Sequence, residues 1–300
     1  MPRPYAHLAN QGPVLATLAR TALGALKQRA GFGPTSPPDV PGPTFHAHAA
    51  PLPHTLIRDY VRHVGGNPYA YLDTVPPHLW PQWGFPWAAR TLDPVPYPLL
   101  RVLNGGCRLT LNGPLPQHQT LRIRAHLAAI DDNGHRAVLH QVIETGTVDR
   151  PDLITADLYA IVPLRKRSHA EGAPKAPETV PIDARQLERW VLRSDAGLEF
   201  ALLTGDFNPV HWVRPYARLF GFKSTILHGF ASMARAMESI NKHVFNSDVT
   251  RLHTFDVKFT KPIVLPGDVG VFLSGQQVFV GKAPGEPACL VGTFAPTLSP

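Results

Sequence analysis

The sequence predicts an α+β protein in which antiparallel sheets curve around a central helix, and three observations support this fold class. The 33 prolines disfavour long helices over much of the chain, because proline lacks a backbone N–H and breaks helix interiors. Runs of alternating apolar and polar residues, separated by turn residues, recur in both halves and indicate hairpin-linked strands. One long helical pattern lies among the later strands, and a sheet that covers one helix is a stable layer arrangement.

The length of the chain suits two domains. Its 300 residues allow two units of about 150 residues each, which is an ordinary domain size. With 44% hydrophobic and 17% charged residues, the chain can bury a substantial core. We divide it into an N-terminal helix with a Pro/Gly-rich tether (1–53), a first sheet domain (54–164), a linker (165–181) and a second sheet domain (182–300).

In the first domain, four period-2 segments follow an irregular stretch. Residues 72–98 are crowded with proline and tryptophan, and we expect at most a short helix there, at Trp87–Leu92. Asn133-Gly134 lies between two alternating runs and predicts a hairpin. The predicted strands are Leu99–Asn112, Thr120–Ile130, Ala137–Thr147 and Leu153–Pro163.

The second domain combines strands with the long helix. A helix capped by Ser194 is predicted to run through Leu203, and a shorter one covers Pro215–Phe220. The long helix is Gly229–Phe245, whose apolar residues repeat at helical spacing and predict a core-facing side. That side consists of Phe230, Met233, Ala234, Met237 and Ile240. The predicted strands are Leu187–Leu192, Leu252–Thr260, Val269–Val278 and Ala288–Phe294.

Charge and cysteine content exclude several function classes. The net charge is +7, but no basic run longer than Arg165-Lys166-Arg167 occurs, so we expect no nucleic-acid partner. Cys107 and Cys289 are far apart, which excludes a thiolate zinc site and a disulfide framework. No apolar run reaches the roughly 18–20 residues that span a bilayer.

The N-terminal segment has two interpretations. No acidic residue precedes Asp39, and Val14–Arg29 reads as a basic amphipathic helix. Such a helix is typical of a mitochondrial presequence and equally of an accessory helix packed on the domain. We favour the accessory helix, and with it a cytoplasmic location in a bacterium over a mitochondrial one.

The densest polar cluster is Thr204–His211, which places Asp206, Asn208 and His211 on one turn held by Gly205 and Pro209. The residue before a proline avoids the α region, so the segment wraps its side chains around a small volume instead of forming a helix face. A carboxylate and an imidazole that converge on one water provide general acid–base catalysis. A capping Asp, a turn Asn and a satisfied core His are the structural alternative.

Three motifs in the second half resemble one known family. Leu203–His211 is similar to the signature of the MaoC-like, R-specific enoyl-CoA hydratases, whose fold is the hotdog. Ile226–Phe230 matches their His-Gly entry into the central helix, and Val257–Asp268 matches their "F-x-x-P…P-G-D" strand pair. The first half has no equivalent of the signature, so the resemblance implies a tandem (double) hotdog with a degenerate, non-catalytic first unit.

The resemblance implies a reaction and the residues that perform it. The expected activity is the reversible hydration of trans-2-enoyl-CoA to (R)-3-hydroxyacyl-CoA. Asp206 and His211 would hold the water, Asn208 would orient it, and the Gly229 N–H would bind the thioester oxygen. No cofactor or metal is expected, because CoA or an acyl carrier protein is part of the substrate.

Several further residues keep two interpretations. His228 either binds substrate or is a structural residue before the helix. Lys258 and Lys261 either contact CoA phosphates or lie in solvent at a strand edge. Trp80, Trp83 and Trp87 either line an acyl tunnel or pack over the first sheet. His46, His48, His54 and His63 lack partners at ligand spacing, so we expect no metal there.

Two other functions compete with hydration. A hotdog thioesterase needs a carboxylate on the central helix, and Glu238, the only acidic residue there, lies well past the helix N-terminus. A non-catalytic acyl-thioester-binding protein could retain the same motif. Tandem units can pair within one chain, so the protein is expected to be either a monomer with intrachain pairing or a homodimer.

Overall fold

The computed structural model describes residues 4–12, 14–17, 20, 24, 33–99, 102–165 and 176–297. The described helices are α1 (His54–His63), α2 (Pro81–Thr91), α3 (Ala196–Thr204), α4 (Arg214–Leu219) and α5 (Gly229–His243), with 3₁₀ turns at Pro4–Gln11, Pro68–Tyr71, Pro77–Leu79 and Pro209–His211. The strands are β1 (Phe45–Ala49), β2 (Thr74–Val75), β3 (Leu103–Leu111), β4 (Leu115–Pro116), β5 (Leu121–Asp132), β6 (Arg136–Gly146), β7 (Ile154–Pro163), β8 (Arg185–Leu192), β9 (Leu252–Phe259), β10 (Gly267–Ser274), β11 (Gln277–Gly281) and β12 (Ala288–Pro296).

One antiparallel sheet of ten strands joins the two halves of the chain. Its order is β1-β5-β6-β7-β3-β9-β12-β11-β10-β8, so the first-half strands lie on one side and the second-half strands on the other. The seam is the pairing of β3 with β9, which runs from Gly106 opposite Lys258 to Thr110 opposite Thr254. The two halves therefore pair within one chain, and the expected α+β architecture is confirmed.

In the second half, the sheet covers α5 as the helical periodicity predicts. The apolar side of this helix is buried in the main core: Phe230, Met233, Ala234, Met237 and Ile240. The predicted single strand Val269–Val278 is wrong, because the chain reverses at Gly275, whose φ is +58°, and forms the β10–β11 hairpin. The prediction that Ser194 caps α3 is also wrong, because Asp195 occupies the N-cap position and its side chain makes no capping hydrogen bond.

The first half contains more regular structure than its prolines suggest. Residues Phe45–Ala49, expected to be part of a tether, form β1 and pair with β5, because their side chains alternate at the period of a strand. Helix α1 was not predicted. Helix α2 is longer than the helix expected at Trp87–Leu92, since Pro81 occupies its first turn, where the missing N–H is harmless.

Aromatic side chains pack the two halves together. Trp80 makes edge contacts with Phe85 and with Phe230 of α5, at ring centroid distances of 5.4 and 5.3 Å. Trp80 and Trp83 are only 1% and 4% exposed, and the Trp83 indole N–H donates to Thr145 Oγ1 at 3.0 Å. The packing interpretation of these tryptophans therefore fits better than a tunnel lining.

The N-terminal segment packs on the second half where it is described. Val14 is 2% exposed, and the Gln11 amide donates to the carbonyl of Leu202 at 3.0 Å. Most of the predicted helix Val14–Arg29 and most of the linker 165–181 lie outside the described residues. Among the described helices, none is long and apolar enough to cross a membrane.

The β3–β9 seam requires glycine at position 106. A Cβ built there would lie 2.4 Å from the carbonyl oxygen of Val257, and backbone cannot move aside as a flexible side chain can. We expect Gly106→Ala to lower the free energy of unfolding by about 1–3 kcal/mol, the usual cost of overpacking. Urea denaturation measures this change. Gly12→Ala is the control, because a Cβ there meets nothing within 4 Å, and equal midpoints for both variants would contradict the prediction.

Candidate active site

The loop that carries the polar cluster begins where α3 ends. Gly205 adopts a φ of +82° and its N–H donates to the carbonyl of Ala201, which terminates the helix. A side chain here would be strained by this conformation and would also lie 2.7 Å from the Cβ of Val14. The chain therefore leaves the helix sharply and directs Asp206 toward the start of α5.

Asn208 organises the loop itself. Its backbone N–H approaches Asp206 Oδ1 at 3.4 Å, and its own Oδ1 accepts from the Val210 N–H at 3.3 Å. Asn208 thus caps the 3₁₀ turn that begins at Pro209, and it lies exposed. Since its side-chain oxygen is engaged in the turn, the role of Asn208 in orienting water stays a prediction.

His211 is held by the carbonyl of a distant residue. Its Nδ1 lies 2.9 Å from the carbonyl oxygen of Ile226, and a carbonyl only accepts, so Nδ1 carries the proton. Nε2 is then the basic nitrogen of the neutral ring. The sequence marked Ile226 only as part of the Ile226–Phe230 motif, and its contact with His211 was not identified, because a backbone carbonyl leaves no side-chain signal.

His228 contacts both members of the predicted pair. Its ring stacks on His211 with centroids 3.6 Å apart and an interplanar angle of 23°. Its Nε2–H donates to the backbone carbonyl of Asp206 at 2.9 Å, and the same nitrogen lies 3.9 Å from Asp206 Oδ2. His228 is 1% exposed, so of its two interpretations the structural one has direct contacts to support it.

Burial moves the pKa values of the pair toward each other. Desolvation raises the pKa of Asp206, and His211 together with the Asn208 N–H opposes this rise. Desolvation also lowers the pKa of His211, against the attraction of Asp206 and the hydrogen bond to Ile226. Asp206 is therefore a stronger base than an ordinary carboxylate, beside an imidazole that stays neutral, and such a pair can exchange protons with water.

The three side chains also form a group that could hold a metal ion. Ligand atoms of Asp206, His211 and His228 all lie within 4.8 Å of one another. Carboxylate and imidazole ligands suit Zn²⁺ and other transition metals. The expectation that the protein uses no metal stays a prediction.

Gly229 is the first residue of α5 and follows His228 directly. The first N–H groups of a helix have no partner within it, and the helix dipole favours negative charge there. The Phe259 ring fills the space beside Gly229, since a Cβ would lie 3.0 Å from its Cδ2 atom. Phe259 was marked in the sequence only as part of the strand motif, and the structure places it against the helix N-terminus.

Lys258 is not brought into this group. Its neighbours on β9 are Val257 and Phe259, and successive side chains of a strand point to opposite faces of the sheet. The Lys258 side chain therefore lies on the face opposite to these two residues, where it is exposed. Lys261 is likewise exposed, just after the strand ends. Contact of either lysine with CoA phosphates stays a prediction.

Glu238 lies in a separate buried network on α5. Its Oε1 accepts from the Tyr71 hydroxyl at 2.5 Å and lies 2.8 Å from His78 Nε2. The Asn241 amide donates to the Tyr71 oxygen at 3.3 Å. Glu238 is 2% exposed, and its bonds to first-half residues give it a structural role, which weakens the thioesterase alternative.

The buried imidazole of His228 predicts a loss of stability in acid. Desolvation and the neighbouring His211 and His63 hold its pKa well below 6.5, whereas the unfolded chain binds a proton normally. The free energy of unfolding should therefore fall as pH drops below about 6.5, by at most about 1.4 kcal/mol per pH unit for each proton. His228→Gln keeps a donor for Asp206 and does not titrate, so it should flatten this slope.

Urea denaturation between pH 7.5 and pH 5 measures the slope, in buffers of about constant ionic strength. His63 and His211 also have lowered pKa values and will leave part of the slope in the variant. His118→Gln is the control, because His118 is exposed. An identical slope in the wild type and His228→Gln would contradict the prediction.

Comparisons with known proteins bear on the fold and on the family that this part of the chain resembles. Residues 168–279 match the family model described as MaoC like domain. The chain is 29% identical over 177 residues to the mouse peroxisomal multifunctional enzyme type 2, covering 56% of this chain and 23% of that protein. It is 26% identical over 195 residues to the peroxisomal enoyl-CoA hydratase 2 of Arabidopsis thaliana, covering 59% and 62%. The chain thus spans less than two thirds of either relative.

A solved structure agrees over nearly the whole chain. The MaoC-like dehydratase from Phytophthora capsici superposes with a TM-score of 0.68 at 20% identity, covering 87% of this chain and 96% of that one. The likeness confirms the tandem hotdog fold expected from the sequence. Residues 168–279 match the family, and the loop with Asp206 and His211 lies inside that match. The part of the chain that carries the candidate site is therefore similar to a MaoC like domain.

Proposed function

We propose that the protein catalyses the reversible hydration of trans-2-enoyl-CoA to (R)-3-hydroxyacyl-CoA. The observation that carries the proposal is the convergence of Asp206 and His211 beside the N-terminus of α5. The Asp206 carboxylate and the His211 ring lie on one short loop, and ligand atoms of both are within 4.8 Å of each other. Water, a base and an oxyanion donor are the components that addition to an enoyl thioester needs.

In the hydration direction, the thioester oxygen accepts a hydrogen bond from the Gly229 N–H. The water oxygen bonds to the β-carbon while Asp206 accepts a proton from that water. The Asp206–His211 pair returns that proton to the α-carbon on the same face, so one water is added without a net change in protons on the protein. His211, through its basic Nε2, positions the water and shares in the transfer. Dehydration follows the same steps in reverse.

His228 and Asn208 position this pair in our proposal, and Asn208 also orients the water. His228 fixes the plane of the His211 ring by stacking and the Asp206 backbone by a hydrogen bond. Asn208 holds the turn between them. Pre-organisation of this kind matters because a misplacement of about 1 Å can cost about 100-fold in rate.

The relatives support the reaction class by their names. One is named enoyl-CoA hydratase 2, and the structural neighbour is named a MaoC-like dehydratase. We propose that no separate cofactor, metal or nucleic acid takes part and that the location is cytoplasmic. The β3–β9 seam provides the intrachain pairing that a monomer requires, and a homodimer stays the second prediction.

Substitution of the carboxylate tests the proposal directly. Asp206→Asn keeps the shape of the side chain but removes the base, so we expect kcat for crotonyl-CoA hydration to fall by about 10²–10⁴-fold. Loss of the enoyl absorbance measures the reaction. Asp183→Asn makes the same change at an exposed position and serves as the control. The product should have the R configuration by chiral chromatography.

Other outcomes would decide for the competing functions. Release of free thiol from crotonyl-CoA would support a thioesterase. Binding of crotonyl-CoA without turnover in the wild type, unchanged in Asp206→Asn, would support a non-catalytic acyl-thioester-binding protein. Full hydratase activity in Asp206→Asn would show that this carboxylate is not the base.

A further inference from the structure

Helix α4 and the turn after it present an exposed surface that is both apolar and basic. We define the α4 surface by its exposed side chains: Trp212, Arg214, Arg218, Leu219, Phe220 and Lys223. Leu219 is 84% exposed, Phe220 52% and Trp212 41%. Apolar side chains grouped in this way within a polar surround are typical of protein interaction sites.

The α4 surface is attached to the candidate active site at both of its ends. The segment leaves the site at His211 and returns at Ile226, whose carbonyl binds the His211 ring. Val213 N–H donates to the carbonyl of Pro209 at 2.7 Å, and Ile226 N–H approaches that of Val210 at 3.4 Å. A partner bound to the α4 surface would therefore be held at the rim of the site.

The charge on this surface has one sign. Between Asp206 and Glu238 the sequence contains no acidic residue. Arg214, Arg218 and Lys223 form no ion pair with any residue that the structure describes. Uncompensated basic groups attract an acidic partner and accelerate its association.

The shape of this surface favours a macromolecule over a small ligand. Small-molecule sites are concave and bury most of the ligand, whereas Leu219 and Phe220 project from a helix and its C-terminal turn. Protein interfaces are enriched in aromatic residues and arginine, as this surface is. Trp212 is oriented by its indole N–H, which donates to the carbonyl of Phe207 at 3.2 Å.

We propose that the α4 surface docks an acidic carrier domain that delivers the acyl thioester on a phosphopantetheine arm. This inference rests on the proposed function, because that reaction requires an acyl thioester at Asp206 and His211. The carrier's acidic residues would meet Arg214 and Arg218, and its apolar residues would cover Leu219 and Phe220. The arm then reaches the site along the segment that ends at Ile226.

The experiment compares one acyl group on two carriers. Crotonyl groups are presented on an acidic acyl carrier protein and on CoA, and kcat/KM is measured for each. In the double variant Arg214→Glu/Arg218→Glu, the ratio of kcat/KM for the carrier protein to that for CoA should fall by about tenfold or more. Higher ionic strength should reduce this difference, since exposed charges are screened. Arg136→Glu, an exposed charge reversal on β6, is the matched control.

Several results would overturn the proposal. A ratio unchanged in the double variant, or changed equally in Arg136→Glu, would remove the α4 surface as the docking site. Equal losses on both carriers would assign the arginines to the phosphopantetheine arm that both carriers share and not to the carrier domain. A shift in oligomeric state by sedimentation would identify the surface as an interface between copies of this chain.

The proposed function can fail separately from the docking proposal. If the wild type hydrates neither substrate, the proposed reaction is wrong. Titration of the holo carrier protein with the wild type and the double variant then tests docking alone. Binding that weakens about tenfold in the double variant supports the α4 surface, and equal binding contradicts it.

Discussion

The stacked imidazoles of His211 and His228 are the constraint on which the rest of the site depends. Each ring is fixed by a backbone carbonyl, His211 by that of Ile226 and His228 by that of Asp206. Three chain segments therefore meet where the two ring centroids lie 3.6 Å apart. The end of α3, the return from α4 and the start of α5 cannot move independently. A carboxylate, a basic nitrogen and a helix N-terminus are thereby held together.

This arrangement is costly for the fold and useful for chemistry. Desolvation raises the pKa of Asp206 and lowers those of His211 and His228, so all three groups are less stable when charged than they would be in water. The same penalty makes Asp206 a better base near neutral pH. Strained or desolvated polar groups are common where a protein performs proton transfer, and the remainder of the core compensates for them.

The two halves contribute differently to the stability that offsets the cost of the desolvated site. The second half holds the polar cluster, and the first half packs Trp80 and Phe85 against Phe230 on α5. Farther along α5, Glu238 is satisfied by first-half hydroxyl and imidazole groups. The first half thus anchors the helix whose N-terminus faces the site. The β3–β9 seam makes this support part of one continuous sheet.

The sequence by itself determined the fold class, the central helix and the loop with Asp206 and His211, because these depend on local periodicity and on turn residues such as Pro209. It misjudged β1, α1 and α2, because these short elements lie in a proline-rich part of the chain and depend on contacts with segments distant in sequence. Only the tertiary structure decided that His228 joins the pair and that Lys258 does not. Ring stacking, backbone hydrogen bonds between distant segments and the sheet face that meets the site all depend on residues far apart in sequence. No local sequence pattern contains this information.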